Sequence, residues 1–100
     1  MADKNKKTAD AVELLDRLVG DDQSTRRLIE AERVNAQVAS EIHALRMARG
    51  LTQQQLAERV GTTQSVIARL EDADYEGHSL RMLRRIADAL DARVVVHLVS

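Results

Sequence analysis

The sequence has no cysteine, no proline, no tryptophan and no phenylalanine, and its single aromatic residue is Tyr75. Without cysteine there is no disulfide framework and no thiolate zinc site. Without proline, and with only four glycines, helix breakers are scarce. A chain so rich in Ala, Leu, Arg, Glu and Gln favours helix. Long apolar runs are also missing. The opening MADKNKKTADAVELL carries neither the apolar core of a signal peptide nor a membrane span, and the expectation is a cytoplasmic protein. Net charge is nearly absent, at −1. That excludes a non-specific nucleic-acid coat, which needs a large excess of Lys and Arg. A sequence-specific reader needs positive potential on one face only, so it stays open.

What is present amounts to one domain of 100 residues, whose small Leu/Ile/Val core is helped by oligomerisation. Residues 1–35 read as an N-terminal helical arm, residues 36–91 as the main domain and residues 92–100 as a C-terminal strand. In the arm, Val12, Leu15, Leu18 and Val19 share one helical face over Asp10 to Val19. That face packs on its own domain or a second subunit, or docks in a partner's groove. A second helix runs from about Ser24 towards Arg49, with Leu28, Ile29, Val34, Val38, Ile42 and Leu45 at roughly helical spacing. The face drifts near Asn35 to Ser40, which leaves room for a break there.

Three short helices follow. Thr52 and Gln55 form the signature of a capping box ahead of a helix over Gln53 to Val60. Gly61 stops it, and Thr62 or Thr63 caps a helix from Gln64 to about Asp72. Ser79 caps the last, Leu80 to Leu90, with Leu80, Leu83, Ile86, Ala87 and Leu90 inward. The closing RVVVHLVS switches to a period of two, with Val94, Val96 and Leu98 on one face and Arg93, Val95, His97 and Val99 on the other. A lone strand leaves its backbone groups unpaired. It pairs with the same strand of a second copy across a two-fold axis, through Val94, Val95, Val96, His97 and Leu98, or packs flat on its own helices, or is a frayed tail.

The two helices flanking GTT have the spacing of a helix-turn-helix, held by Leu56, Ala57, Val60, Ile67 and Leu70. The second helix then has a free face of Gln64, Ser65, Ala68 and Arg69, placed to enter a major groove. A glutamine amide matches N6 and N7 of adenine, and an arginine fork matches O6 and N7 of guanine. Gln53 stands where it can contact the backbone and orient the amide of Gln64. For Gln64-Ser65 alone, an ordinary polar helix start is the better explanation; the order across GLTQQQLAERVGTTQSVIARLE is much harder to obtain by accident.

At these residues the sequence resembles the phage Cro/repressor type of helix-turn-helix, the Xre family. RMARGLTQQQLAERVGTTQSVIARLE, Arg46 to Glu71, carries the Leu-Thr-Gln opening, the Leu-Ala pair, the turn glycine, Thr-Gln-Ser and the closing Leu-Glu. The resemblance spans about residues 38–90. It implies an all-α, five-helix, lambda-repressor-like domain, with the arm and the C-terminal dimer strand added. It also implies DNA contacts at Gln53, Thr63, Gln64, Ser65 and Arg69, and a structural ion pair between Arg46 and Glu71. The flank EDADYEGHSLRMLRRIADALDARVVVHLV is similar to antitoxins of the HigA type. That similarity implies a dimeric repressor of its own operon that also binds a RelE/HigB-like toxin. A stand-alone Xre-family regulator, or an antitoxin interaction module with weak DNA binding, are the alternatives.

Asp72, Asp74 and Glu76 are unfavourable beside phosphates. His78, Arg81, Arg84 and Arg85 are candidates to offset them, with Arg81 the chosen phosphate contact and Arg85 a solvated helix residue. No catalytic residue, metal site or cofactor is expected. The three histidines lack ligand spacing, no Ser-His-Asp set is assembled, and Gly50, Gly61 and Gly77 make no phosphate loop. His43 reads as a half-exposed helix residue.

Overall fold

The computed structural model describes residues 23–100. Residues Glu32–Ser100 form one compact unit. The described residues hold four helices rather than five: α1, Gln23–Ala48; α2, Gln53–Val60; α3, Gln64–Leu70; and α4, Leu80–Ala89. The remaining expected helix, over Asp10 to Val19, lies outside the described residues. Among those described, no helix is long and apolar enough to cross a membrane.

Helix starts follow from side-chain oxygens. The Thr52 hydroxyl accepts from Gln55 N at 3.1 Å, while Thr52 N donates to Gln55 Oε1 at 2.9 Å, a complete capping box. Thr63 and Ser79 accept from Val66 N and Met82 N in the same way. Helix ends share another device. Leu51 N, Thr62 N and Ala92 N reach back to the carbonyls of Arg46, Ala57 and Ala87. The residue before each bond is left-handed: Gly50, Gly61 and Asp91. These are Schellman closures of α1, α2 and α4. At Gly61, φ is +83°, so the α2–α3 turn needs a residue without a Cβ penalty.

The core joins all four helices through Ile42, Leu56, Ala57, Val60, Ile67, Leu70, Ile86 and Leu90. Leu56, Ala57 and Ile67 are fully buried, so α2 and α3 meet without a gap. Each large aliphatic side chain buried there contributes about 1.5–3 kcal/mol. α2 packs against both α3 and α4.

Three expectations are corrected. α1 is continuous through residues 35–40, because Ala39 and Ile42 keep its inward face covered where the apolar spacing drifts. Its apolar stripe is only partly used: Leu28, Ile29, Val34 and Leu45 are exposed, as is Leu80 of α4. Finally, no strand is present among the described residues, and the segment Arg93 to Ser100 forms no ladder. A strand exists only beside a partner, and the described residues offer it no other strand. Val95, Val96, Leu98 and Val99 are 75%, 60%, 89% and 83% exposed. Only Ala92 and Val94 of this tail are half-buried, so flat packing on the helices describes just its first residues.

Candidate nucleic-acid interface

Gly61, Thr62 and Thr63 turn the chain from α2 into α3, and Thr63 caps α3 so that Gln64 is its first residue. Ile67 and Leu70 face the core; Gln64, Ser65 and Arg69 are exposed, and Ala68 between them is half-buried. The structure therefore gathers the expected reading residues on one outward face. Thr63 is exposed beside them. Its oxygen accepts the Val66 N–H, which leaves its own O–H free to donate to a phosphate.

Gln64 is held in place. Its Nε2 donates to Gln53 Oε1 at 2.7 Å, linking the first residues of α2 and α3. With one N–H used there, Gln64 keeps a carbonyl acceptor and a second N–H donor. That pair is what the adenine edge requires.

Behind this face lies a buried charge network. Arg46 Nε donates to Glu71 Oε2 at 2.7 Å and Nη2 to Glu71 Oε1 at 2.9 Å, a two-pronged pair. The side chains are 8% and 4% exposed, so neither can turn to water if its partner is lost. Arg46 Nη1 donates to Leu51 O at 2.7 Å, tying the α1–α2 turn to the same group. Burial by itself pushes the Glu71 carboxyl up. Hydrogen bonds from Arg46 and His43, the Arg46 charge and a hydrogen bond from Gln53 outweigh it and hold the carboxyl below its usual range. The hydrogen bond to Glu71 raises Arg46 in turn, against desolvation.

Sequence reasoning missed three members of this scaffold. His43 Nδ1 lies 2.8 Å from Glu71 Oε1 although half its side chain is exposed. The signal was available: His43 and Arg46 are three apart and share a helix face. His78 does not offset the acidic loop. Its Nε2 lies 2.7 Å from Leu70 O, so the ring N–H donates to the end of α3, and its edge meets Tyr75 with ring centroids 5.1 Å apart. The other ring nitrogen is buried without a partner. Arg85 is not merely a solvated residue either, since its Nη2 donates to Val60 O at 2.9 Å and closes the end of α2. Nothing in the spacing of these two residues announces a bond to a backbone carbonyl far along the chain.

Arg81, in the first turn of α4, is exposed, as is Arg84. Asp72, Asp74 and Glu76 are exposed too, but Asp72 Oδ1 accepts from Asp74 N at 2.9 Å and so shapes its own turn. Tyr75 folds back over Gly77, where an added Cβ would collide with the phenol ring. Among the described residues no group of three His, Asp or Glu side chains could hold a metal ion.

No curated protein matches the chain. The sequence profile of the helix-turn-helix domain matches residues 37–97, the stretch that contains the α2–turn–α3 unit, α4 and the C-terminal part of α1. With that match and this geometry, the chain belongs to the helix-turn-helix domain family and is a DNA-binding protein of the Xre type.

Proposed function

We propose that the protein is a sequence-specific transcriptional repressor that binds a palindromic operator as a homodimer. One observation carries the reading: Gln64, Ser65 and Arg69 stand on one exposed face of a helix whose first amide is already fixed by Gln53. A side chain restrained before binding loses less freedom on contact. Thr63 and Arg81 are the phosphate contacts in this reading, and Ala68 lies against the bases. Two copies double the number of reading side chains, which compensates for the −1 net charge of each.

In vitro selection on random duplexes tests it. Enriched sites are expected to be palindromes with half-sites about one helical turn apart, or a multiple of that. Failure to enrich any sequence would reject specific reading.

The antitoxin role, with autoregulation of its own operon and a RelE/HigB-like toxin as partner, rests on the similarity of the flank Glu71 to Val99. Co-purification with the product of a short basic reading frame adjoining the gene would support it. A stand-alone regulator is the outcome if that frame is missing or its product does not bind.

A further inference from the structure

His43 joins a buried charge to the surface. Its side chain is 55% exposed, while the Glu71 carboxylate it meets is 4% exposed. Nδ1 lies 2.8 Å from Glu71 Oε1 and 3.1 Å from Arg46 Nη2. These two contacts make opposite demands on one nitrogen. An ionised carboxylate can only accept, so the first needs a hydrogen on Nδ1. A guanidinium can only donate, so the second needs a lone pair there. Arg46 Nη2 already has an acceptor in Glu71 Oε1, at 2.9 Å. Glu71 has no hydrogen to give, and a bare nitrogen at 2.8 Å would set lone pair against lone pair. The hydrogen therefore sits on Nδ1.

That assignment fixes what the ring offers outward. A neutral imidazole has a single N–H. With it held on Nδ1, Nε2 turns a lone pair towards the solvent. A histidine free to change tautomer could offer a donor there at either charge. This one donates from Nε2 only as the imidazolium.

The ring also stands beside the reading face. Glu71 accepts from Gln53 as well, and Gln53 holds the amide of Gln64. His43 and Gln53 thus meet one carboxylate, which places the ring at the rim of the interface, on its α1 side. The anion that DNA presents at such a rim is a backbone phosphate.

We propose that His43 is a phosphate contact of the DNA-bound protein and makes it only as the imidazolium, so that each subunit takes up a proton as it closes on the backbone. This rests on DNA binding by the α3 face, and not on base reading or on the dimer. Two charged groups face the ring: Arg46 from its own helix and Glu71 from the end of α3. Among the described residues no ion pair joins it to α2 or α4. Arg46 and Glu71 are of opposite sign. A phosphate at Nε2 adds a second anion, at the nitrogen remote from Arg46, and so favours the cation.

The test uses the full chain and a random-sequence duplex, so it needs no operator. Affinity is measured from about pH 5.5 to 8 at fixed ionic strength, the range over which an imidazole changes charge. The phosphodiester and the Glu71 carboxyl, which is held below its usual range, stay ionised throughout. Proton uptake makes binding weaker as the pH rises, with a limit of about tenfold per pH unit for each proton taken up. Wild type is expected to lose at least roughly fivefold across the range by the same linkage. His43→Gln keeps an N–H donor at every pH and is expected to give a flatter profile. His97→Gln is expected to keep the wild-type profile. Equal profiles for wild type and His43→Gln would overturn the proposal.

Nitrogen NMR of the wild-type rings gives a readout that needs no variant. In the free chain the neutral His43 ring is expected to carry its hydrogen on Nδ1, and adding duplex at neutral pH is expected to raise the imidazolium fraction. A hydrogen on Nε2 in the free neutral ring, or no change of charge at saturation, would overturn the proposal. A chain that binds no duplex at all would overturn it together with the DNA-binding reading. Proton uptake without any sequence selection would support it and refute the repressor alone.

Discussion

The α2–α3 wedge and the α1–tail face are built from similar residues and treat them in opposite ways. In the wedge, Leu56, Ala57 and Ile67 are fully buried, and the buried charges of Arg46 and Glu71 are paired with two-pronged geometry. On the α1–tail face, formed by Val34 and Leu45 with the C-terminal tail, aliphatic side chains of the same kind stay in water and, among the described residues, a stretch of backbone stays unpaired. The wedge is complete within one chain; the other face is not. Rigidity is thus concentrated where side chains must be aimed, and unused binding surface is concentrated away from the core.

The largest effect that separates the two regions is expected from Arg46→Ala. It leaves the Glu71 carboxylate buried without its partner, at a cost of about 3–5 kcal/mol, read as a lower denaturant midpoint. Arg46→Met with Glu71→Leu removes both charges, and is expected to recover most of that loss. If the double variant is as unstable as the single one, the pair is not what holds the wedge.

Gly77→Ala comes next. The new Cβ collides with the Tyr75 ring, and Tyr75 in turn packs on His78 at the end of α3. A loss of about 1–3 kcal/mol is expected, the usual cost of overpacking. A variant of unchanged stability would show that the loop past α3 is not part of the wedge.

Acid sharpens the comparison in another way. The Glu71 carboxyl is held below its ordinary value in the folded chain. Its contribution to stability is therefore complete above the unfolded carboxyl range, near pH 4.3. It is lost progressively as the pH falls from there through the folded value. Glu71→Gln is expected to flatten the acid limb of the stability curve. An identical acid limb in the variant would contradict the role given to this carboxylate.

The smallest effect belongs to the other region. Leu98→Ser is expected to change monomer stability by less than about 0.5 kcal/mol, as for a surface site. A clear loss in the dilute monomer would show that the tail is part of the single-chain core.

The wedge was more legible in the sequence than the face. Leu56, Ala57, Val60, Ile67 and Leu70 are spaced for two short helices meeting at a glycine turn, and all five are buried. Thr52, Thr63 and Ser79 announce their helices because capping is a local rule, and local rules survive any tertiary context. The tail was legible in period but not in outcome. Its alternation specifies a strand only if a neighbour exists, and the neighbour is not encoded beside it in the sequence. The apolar spacing of α1 likewise could not tell a residue that faces the core, such as Ile42, from ones that face outward, such as Val34 and Leu45. In the site, outward-facing Gln64, Ser65 and Arg69 followed from periodicity. The bonds from His78 to Leu70 and from Arg85 to Val60 depend on how distant elements pack.

The central claim is that α3 reads bases through an amide aimed from within the chain. The direct measurement compares wild type with Gln64→Ala on a selected operator, on that operator changed one base pair at a time, and on random duplex. The account predicts a loss of about 1–3 kcal/mol on the operator, relaxed preference at one base pair in each half-site, and unchanged affinity for random DNA. An equal loss on operator and random DNA would contradict it.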